Sequence, residues 1–305
     1  MKTPAKVNLS LEVLGRREDG YHEVSSVMQA VALFDTVAVA SDISFAGETA
    51  PAGSARQDSG SGFFAGIRCS NPSVPEDGAN LAVRAAFLLR ECVDAPVTGT
   101  VEIDLLKNIP VSAGLAGGSA DAAAVLLALA RLWDVRAALP QIAEIGGKLG
   151  VDVPFCVYAC AAANPGITDG LGFTRAHAEG AGDILTRLRE RPVESVLLVK
   201  PDIAVPTAEI YEAYDAFRKD ASPVSGQCPA GFRNDLQPVT AARYPIVAEI
   251  FERMREICES SGSVLMSGSG PTVFACFQNR AVAEAAEARA REAFPEMFVL
   301  LTETL

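Results

Sequence analysis

The glycine-rich segment at residues 110–121, PVSAGLAGGSAD, carries the strongest chemical signal in this sequence. Small residues allow the backbone to turn sharply and to approach a ligand closely. A helix that begins at about Ser119 would direct its free backbone N–H groups and the positive end of its dipole into the loop. These features together favour an anion, and a phosphate group is the natural occupant. The predicted phosphate site comprises Lys107, Pro110, Val111, Ser112, Ala113, Gly114, Leu115, Ala116, Gly117, Gly118, Ser119 and Ala120.

Two familiar phosphate-binding patterns do not match this loop. A Walker A loop ends in Gly-Lys-Ser/Thr, whereas Gly118 is followed here by Ser119 and Ala120. A dinucleotide fingerprint has the spacing GxGxxG, whereas this loop has the spacing GxxGG. Taken alone, the loop leaves two alternatives open: a phosphate cradle, or a glycine-rich turn that only connects a strand to a packed helix.

Other residues could also do chemistry, although each fits a purely structural role as well. Lys6 lies in a predicted strand, where lysine is usually a surface charge, and Asp152 fits a turn or a helix cap. Tyr21 and His22 follow a predicted turn, and residues 267–270 (SGSG) could form a hairpin turn. None of these groups decides the function by itself.

The composition is that of a globular protein and argues against some partners. With 305 residues, 49% of them hydrophobic and 21% charged, the chain is long enough for two domains. The formal net charge of -12 repels nucleic acid and anionic membranes, so we expect neither as a partner. The first residues do not form a signal peptide, and no window of about 20 residues is apolar enough to span a bilayer. We therefore expect a soluble, cytoplasmic protein whose seven scattered cysteines are reduced thiols.

Hydrophobic periodicity and turn residues divide the chain into strands and helices. Residues 42–79 lack periodicity over GETAPAGSARQDSGSG and predict a long loop. Strands and helices mix irregularly without a repeating βαβ unit, which favours an α+β fold. The predicted strands are 5–14, 24–41, 100–105, 195–200, 264–266, 271–277 and 297–301, and the predicted helices are 80–93, 120–133, 139–149, 208–219, 246–260 and 281–293.

Three segments taken together give the chain a resemblance to the GHMP kinase superfamily. They occur in the expected order: PAKVNL at residues 4–9, the glycine-rich loop at 110–121, and MSGSGPT at 266–272. Within the superfamily the chain is most similar to a branch that acts on a cytidyl-containing substrate. That similarity rests on LGRR at 14–17, DGYHE at 19–23, NLA at 80–82, DVPF at 152–155 and NDL at 234–236.

The resemblance implies a two-domain fold and a phosphoryl transfer. An N-terminal domain at residues 1–165 would be like ribosomal protein S5 domain 2, and a C-terminal domain at residues 166–305 would be ferredoxin-like. ATP, with Mg²⁺, would donate its γ-phosphate to a hydroxyl of a cytidyl-containing polyol phosphate, in the non-mevalonate route to isoprenoids. Neither a metal ligand nor an oligomeric state follows from the sequence.

The resemblance also implies a role for individual residues. Asp152 corresponds to the catalytic base and Lys6 to the catalytic lysine, while Asn8 corresponds to a residue that positions the substrate. Tyr21 and His22 correspond to residues that stack on cytosine and hydrogen-bond to it. A second aromatic over the base corresponds to Tyr211, and the loop that supports the ATP site to Ser267, Gly268, Ser269 and Gly270.

These residue types suit the implied reaction. Asp152 can accept the proton of the attacking alcohol, and Lys6 can keep that carboxylate ionised. Backbone amides of the loop and Mg²⁺ neutralise charge on the transferring phosphoryl group. Two alternatives stay open: another GHMP kinase with a simpler alcohol substrate, which Tyr21 and His22 argue against, and a binding protein without catalysis, which Lys6 and Asp152 argue against.

Three features depart from the pattern of the family. The segment at residues 42–79 is long, which predicts an insertion. Ala159 and Cys160 replace a glycine pair, and residues 164–173 (NPGITDGLGF) end in Phe where the family usually has Glu. Ala116 and Ala120 stand where the family often has Gly and Ser, and both are small enough to leave the phosphate loop intact.

Overall fold

The computed structural model describes residues 1–45, 62–93, 97–167, 170–220, 232–259 and 262–305. Contacts group the chain into two compact units, each assembled from separate stretches of sequence. The first unit comprises Met1–Pro4, Phe34–Ile109 and Gly117–Phe173, and the second comprises Ala5–Leu33, Pro110–Ala116 and Thr174–Leu305. The predicted phosphate loop therefore contributes residues to both units.

Strands and helices alternate irregularly along the chain, and this mixture confirms the predicted α+β class. The described strands are β1 Lys2–Arg16, β2 His22–Phe45, β3 Phe63–Cys69, β4 Val97–Leu106, β5 Arg175–Glu179, β6 Ile184–Arg187, β7 Ser195–Lys200, β8 Arg233–Asn234, β9 Ser263–Met266, β10 Val273–Phe277 and β11 Phe298–Glu303. The described helices are α1 Leu81–Cys92, α2 Gly117–Leu132, α3 Leu139–Gly147, α4 Val153–Ala163, α5 Thr207–Asp220, α6 Gln237–Arg243, α7 Pro245–Cys258 and α8 Arg280–Ala293.

The first unit packs helices α1 to α4 together beside a small sheet. Strand β4 pairs antiparallel with residues 36–45 of β2 and parallel with β3. Helix α2 contacts α1, α3 and α4, and most of its Ala and Leu side chains are buried. An apolar surface all round a helix is typical of a position at the centre of a core. The helix that follows the phosphate loop is therefore fixed by its neighbours.

The second unit contains an antiparallel sheet in the order β11-β7-β10-β9. All 6 residues of strand β7 (SVLLVK) are buried, and the apolar run from Val196 to Val199 predicts such a buried strand. Helices α7 and α8 pack beside this sheet and bury Ile250, Met254 and Ala286 completely. In the same unit β1 pairs parallel with β8, and residues 26–29 of β2 pair antiparallel with β5.

The prediction of a loop over residues 42–79 is wrong at residues 42–45 and 63–69, which are strand, whereas residues 70–79 form turns and loop as predicted. Strand β2 continues to Phe45, and β3 lies parallel to β4. One face of β3 buries Phe63, Ala65 and Ile67, a period-two pattern that the neighbouring Gly and Ser residues obscured in the sequence. Residues 46–61 lie outside the described residues.

Helix α4 was also missing from the sequence prediction. Its sequence VPFCVYACAAA has no amphipathic period because most of its residues are buried, so periodicity gives no helical signal. Pro154 lies in the first turn, where proline is tolerated because that N–H has no partner within the helix. Across the described ranges, no helix is long and apolar enough to cross a membrane.

Candidate active site

Strand β1 holds Lys6 and Asn8 on one face, because side chains two positions apart in a strand point the same way. Both side chains are buried, at 4% and 2% exposure. The Lys6 Nζ donates to Asn8 Oδ1 at 2.7 Å, and Asn8 Nδ2 donates to Ser26 Oγ at 2.8 Å. Ser26 Oγ in turn donates to the Ser10 carbonyl at 2.6 Å. This chain of bonds orients the Asn8 amide and holds the ammonium of Lys6 beside it.

The loop at residues 110–116 is anchored on one side by β1 and on the other by residues 267–270. The Lys6 N–H donates to the Leu115 carbonyl at 3.1 Å, and Ser267 Oγ donates to the Gly114 carbonyl at 2.9 Å. A Cβ on Gly114 would lie 2.3 Å from the Ser267 backbone oxygen, so only glycine allows this approach. The structure thus brings Lys6, residues 110–116 of the phosphate loop and the supporting loop together within the second unit.

The backbone conformation of this loop suits an anion. Ser112, Gly114 and Ala116 have φ values of 52, 73 and 57 degrees, all in the left-handed region. Residues in this conformation occur in concave nests of backbone N–H groups, which bind phosphates. Of the side chains here, Ala113 and Leu115 are buried, whereas Val111 and Ser112 are exposed.

Residues 267–270 are themselves held by side chains that the sequence prediction did not include in the site. Asn234 Nδ2 donates to the carbonyls of Met266 and Gly268, at 2.7 and 2.8 Å. Thr240 Oγ1 donates to the Ser269 carbonyl at 3.1 Å. The NDL motif at residues 234–236 marked Asn234 in the sequence. Its role in holding residues 267–270 depends on contacts that the sequence does not display.

In the first unit, Gly117, Gly118, Ser119 and Ala120 form the first turn of α2. Gly118 is exposed and Ser119 half-buried, whereas Ala120 is buried. A Cβ on Gly117 would lie 3.0 Å from Ile109 Cγ2 and 3.1 Å from Lys107 Nζ, so this end of the helix packs closely on neighbouring side chains.

Lys107 lies in a buried ionic cluster with two carboxylates. Its Nζ donates to Asp121 Oδ2 at 2.8 Å and also to Asp35 Oδ2. Asp35 Oδ1 accepts the backbone N–H groups of Asn108 and Ile109, at 2.6 and 2.8 Å. The structure therefore shows the ammonium of Lys107 committed to Asp35 and Asp121, and a contact of Lys107 with ATP stays a prediction.

Burial and neighbouring charges shift the pKa values of Lys107 and Asp121 in this cluster. Burial lowers the pKa of Lys107, but attraction by Asp121 and Asp35 outweighs burial and raises that pKa above its ordinary value. Burial raises the pKa of Asp121 from 3.8 to about 7; the Lys107 ammonium opposes this rise and the Asp35 carboxylate adds to it. Asp35 carried no signal in the sequence beyond a single charge in an apolar strand.

Asp152 is the residue immediately before helix α4, in the first unit. It has φ -82 and ψ -16 degrees, and its side chain makes no capping hydrogen bond to the helix. Asp152 therefore occupies the predicted turn and the N-cap position of α4, but its carboxylate does not cap the helix. Its role as catalytic base stays a prediction.

The residues predicted to bind a cytosine gather around His22 in the second unit. The His22 and Tyr211 ring centroids are 4.8 Å apart, at an interplanar angle of 30 degrees. Tyr21 is 58% exposed, and its backbone N–H donates to Asp19 Oδ1 at 3.1 Å, which shapes the turn. Tyr211 lies far from His22 in sequence, and the structure brings the two rings together.

One further residue of this group was missed by the sequence prediction. Asp215 Oδ1 lies 2.8 Å from His22 Nε2. Its position four residues after Tyr211 on a predicted helix was the available signal, because such residues share one face.

The fold and the two anchored loops define a class of protein. The chain matches the model for the GHMP kinases N terminal domain over residues 80–160 and that for the GHMP kinases C terminal over residues 213–296. The chain belongs to the GHMP kinase family, whose members are ATP-dependent small-molecule kinases. This family and its two-domain fold confirm what the sequence predicted.

Named relatives show which members of the family this chain resembles. The chain is 34% identical over 314 residues to a 4-diphosphocytidyl-2-C-methyl-D-erythritol kinase of Clostridium botulinum (strain Eklund 17B / Type B), with 99% of each chain covered. It is 39% identical over 290 residues to the kinase of the same name from Geobacillus sp. (strain WCH70), covering 92% of this chain and 88% of the relative. A crystal structure of 4-(cytidine 5'-diphospho)-2C-methyl-D-erythritol kinase superposes with a TM-score of 0.70 at 29% identity, covering 100% of this chain and 99% of the other.

Proposed function

We propose that this kinase transfers the γ-phosphate of ATP to the C2 hydroxyl of 4-diphosphocytidyl-2-C-methyl-D-erythritol, in the non-mevalonate route to isoprenoids. One observation carries the proposal: the group Tyr21, His22 and Tyr211 occurs in a chain 34% identical, over 99% of its length, to a kinase named for this substrate. Aromatic and imidazole rings can stack on a planar base and contact its edge. A simple alcohol offers these rings nothing to bind.

The phosphate loop would hold ATP through its backbone. The left-handed residues Ser112, Gly114 and Ala116 support this role, because residues in this conformation occur in concave nests of backbone N–H groups that bind phosphates. The start of α2 at Gly117 adds the free N–H groups and the positive dipole of a helix N-terminus. Donors held in place before the reaction stabilise the charge that develops on the transferring phosphoryl group.

Mg²⁺ would enter this site as a companion of the nucleotide. Within the described ranges, no group of three or more His, Cys, Asp or Glu side chains could hold a metal ion. Mg²⁺ at nucleotide sites usually binds through phosphate oxygens, water and one or two protein ligands. Ser112 and Ser119 are the side-chain oxygens that residues 110–120 offer as candidate ligands. When bound, the ion neutralises phosphate charge.

Asp152 would accept the proton of the C2 hydroxyl as that oxygen attacks the γ-phosphate. General-base assistance of this kind contributes roughly 10²–10⁴-fold in rate. Lys6 would supply positive charge near the reacting groups, and its bond to Asn8 Oδ1 at 2.7 Å supports a fixed position for the ammonium. Asn8 would then position the substrate through the part of its amide that Lys6 and Ser26 do not use.

A substrate panel tests the proposal directly. ATP consumption by the purified protein is measured with the cytidyl substrate beside mevalonate, homoserine and galactose. We expect turnover with the cytidyl substrate at least about 100-fold above that with the others, because only it offers a base to the aromatic group. Turnover of another alcohol with none of the cytidyl substrate would overturn the specific assignment and leave the GHMP kinase family intact.

A further inference from the structure

His22 is held by two side chains from a single face of helix α5. Tyr211 and Asp215 are four positions apart, which places them one turn apart on the same side of the helix. The Tyr211 ring lies 4.8 Å from the His22 ring, centroid to centroid. The Asp215 Oδ1 lies 2.8 Å from His22 Nε2, within hydrogen-bonding distance. The ring of His22 is therefore fixed both across its face and at one of its two nitrogens.

The carboxylate that contacts His22 is itself held in place. Asp215 Oδ2 accepts a hydrogen bond from Arg16 Nη1 at 3.2 Å, so both of its oxygens are engaged. Arg218 on the same helix donates to the Leu14 carbonyl at 3.2 Å, which fastens α5 to the end of β1. Exposure falls from 60% for the Arg16 side chain through 25% for Asp215 to 8% for His22. Of the two contacts of Asp215, the one with His22 is thus better shielded from solvent than the one with Arg16.

A carboxylate can only accept a hydrogen bond, so the nitrogen that faces it must carry the proton. In a neutral imidazole the other nitrogen then presents a lone pair. We infer that Asp215 is a positioning residue that holds His22 in the Nε2–H tautomer and leaves Nδ1 as a hydrogen-bond acceptor. This inference rests on the proposed function wherever it concerns the substrate, because it takes His22 as the residue that contacts the base.

An acceptor at His22 Nδ1 distinguishes between two pyrimidines of the same shape. Cytosine carries an amino group, a donor, where uracil carries a carbonyl oxygen, an acceptor. The amino group completes a hydrogen bond with Nδ1, whereas the uracil oxygen faces a second lone pair and both groups stay unsatisfied. Asp215 therefore selects the cytidyl substrate over a uridyl analogue, although it contacts the base only through His22.

The tautomer of His22 can be measured without any substrate. The chain contains 2 histidines, so long-range ¹H–¹⁵N spectra of histidine-labelled protein show two rings. His177→Gln, at a residue that contacts Ser25 and Glu179 rather than the aromatic group, identifies the signal of His22. We expect the Nε2–H form in the wild-type protein and a growing share of the Nδ1–H form in Asp215→Asn, since an amide can also donate to Nε2. A wild-type Nδ1–H tautomer, or the same tautomer in both proteins, would overturn the inference.

Base selectivity is the kinetic readout. The ratio of kcat/KM for the cytidyl substrate to that for its uridyl analogue is compared in wild type, Asp215→Asn and Glu212→Gln. We expect Asp215→Asn to lower this ratio about tenfold or more, mainly through the KM of the cytidyl substrate. The KM for ATP should stay within about twofold. Glu212→Gln makes the same chemical change at an exposed position of the same helix and should leave the ratio at its wild-type value.

The two readouts separate the inference from the function on which it rests. A tautomer that shifts in Asp215→Asn while the selectivity ratio stays unchanged would overturn the selective role of Asp215. If wild-type protein turned over neither nucleotidyl substrate, the proposed function would be wrong, and the spectra would still decide whether Asp215 fixes the His22 ring. A fall in the ratio together with the shift in tautomer supports both.

Discussion

At the scale of the residue, Lys107 stabilises the fold by bridging two buried carboxylates and balancing their charge. Its side chain is 5% exposed and that of Asp35 is fully buried. We predict that Lys107→Met lowers the free energy of unfolding by about 3–5 kcal/mol, because it leaves Asp35 and Asp121 together without a counter-charge. Urea unfolding at neutral pH measures this change.

An exposed ion pair supplies the control for Lys107→Met. Arg68 and Asp104 lie 2.8 Å apart, but their side chains are 73% and 55% exposed. Water and salt screen such a pair, so Arg68→Gln should leave the urea midpoint essentially unchanged. If both variants shift the urea midpoint alike, burial of the Lys107 cluster does not explain the loss of stability in Lys107→Met.

The catalytic role of Asp152 gives a second prediction at this scale. Asp152→Asn should lower kcat by roughly 10²–10⁴-fold, because an amide cannot accept the proton of the substrate hydroxyl. Asp134→Asn is the matched control, at an exposed residue whose φ of 49 degrees asparagine also adopts readily. Near-normal turnover of folded Asp152→Asn would remove Asp152 from the role of base.

The exposed ring of Tyr21 gives a third prediction. Tyr21→Ala should weaken binding of the cytidyl substrate by about 1–3 kcal/mol, since stacking on the base is lost, and should leave the KM for ATP nearly unchanged. Tyr21→Phe keeps the ring and should retain most of the affinity. Steady-state kinetics for both substrates distinguish these outcomes, and an equal loss for ATP and the cytidyl substrate would instead indicate a folding defect.

At the scale of the element, two distant loops depend on a glycine where they meet. Gly114 has a φ of 73 degrees, and its Cβ would lie 2.3 Å from one backbone oxygen and 3.0 Å from another. We predict that Gly114→Ala lowers the free energy of unfolding by about 2 kcal/mol or more, because neither backbone can move aside cheaply. Thermal unfolding measures the loss.

Gly118→Ala is the matched control for this prediction. A Cβ at Gly118 would meet nothing closer than Leu81 Cδ1 at 3.8 Å, so the fold should tolerate it. Equal stability of the two variants would show that the contact of Gly114 with Ser267 is not tight. Because both glycines belong to the predicted phosphate site, the comparison concerns stability and not activity.

Most elements could be predicted from local sequence patterns, and the failures have physical reasons. Strand β7 coincides with its prediction because its four consecutive apolar residues, Val196 to Val199, leave little choice. Helix α4 has no period because most of its residues are buried, and β3 is a short strand beside a Gly- and Ser-rich segment. Tertiary packing decides such segments, and local propensity does not.

At the scale of the whole molecule, Asp121 makes stability depend on pH. Its pKa rises from 3.8 in the unfolded chain to about 7 in the fold, so the native state binds this proton more tightly. That stabilisation is lost as pH rises through this window, and it is fully lost above it. We predict that the free energy of unfolding of wild type falls relative to Asp121→Asn as pH rises from about 4 to about 7.

Urea unfolding of both proteins across this pH range measures the difference in their free energies of unfolding. The test is how this difference changes with pH, and its absolute size does not matter. Carboxylates outside the Lys107 cluster titrate alike in the two proteins and cancel. A wild-type stability that rose with pH relative to Asp121→Asn would show that attraction by Lys107 outweighs burial, and that Asp121 is ionised throughout.

The sequence by itself determined the family, the order of its motifs and most of its helices and strands, because these depend on residue type and on short-range periodicity. It also identified Lys6, the glycine-rich loop and Tyr21 as candidates for chemistry. Only the tertiary structure decided which distant residues meet. Ser267 reaches Gly114 across 153 positions and Asp215 reaches His22 across 193. Such contacts arise when packing closes long stretches of chain, and no local pattern in the sequence encodes that closure.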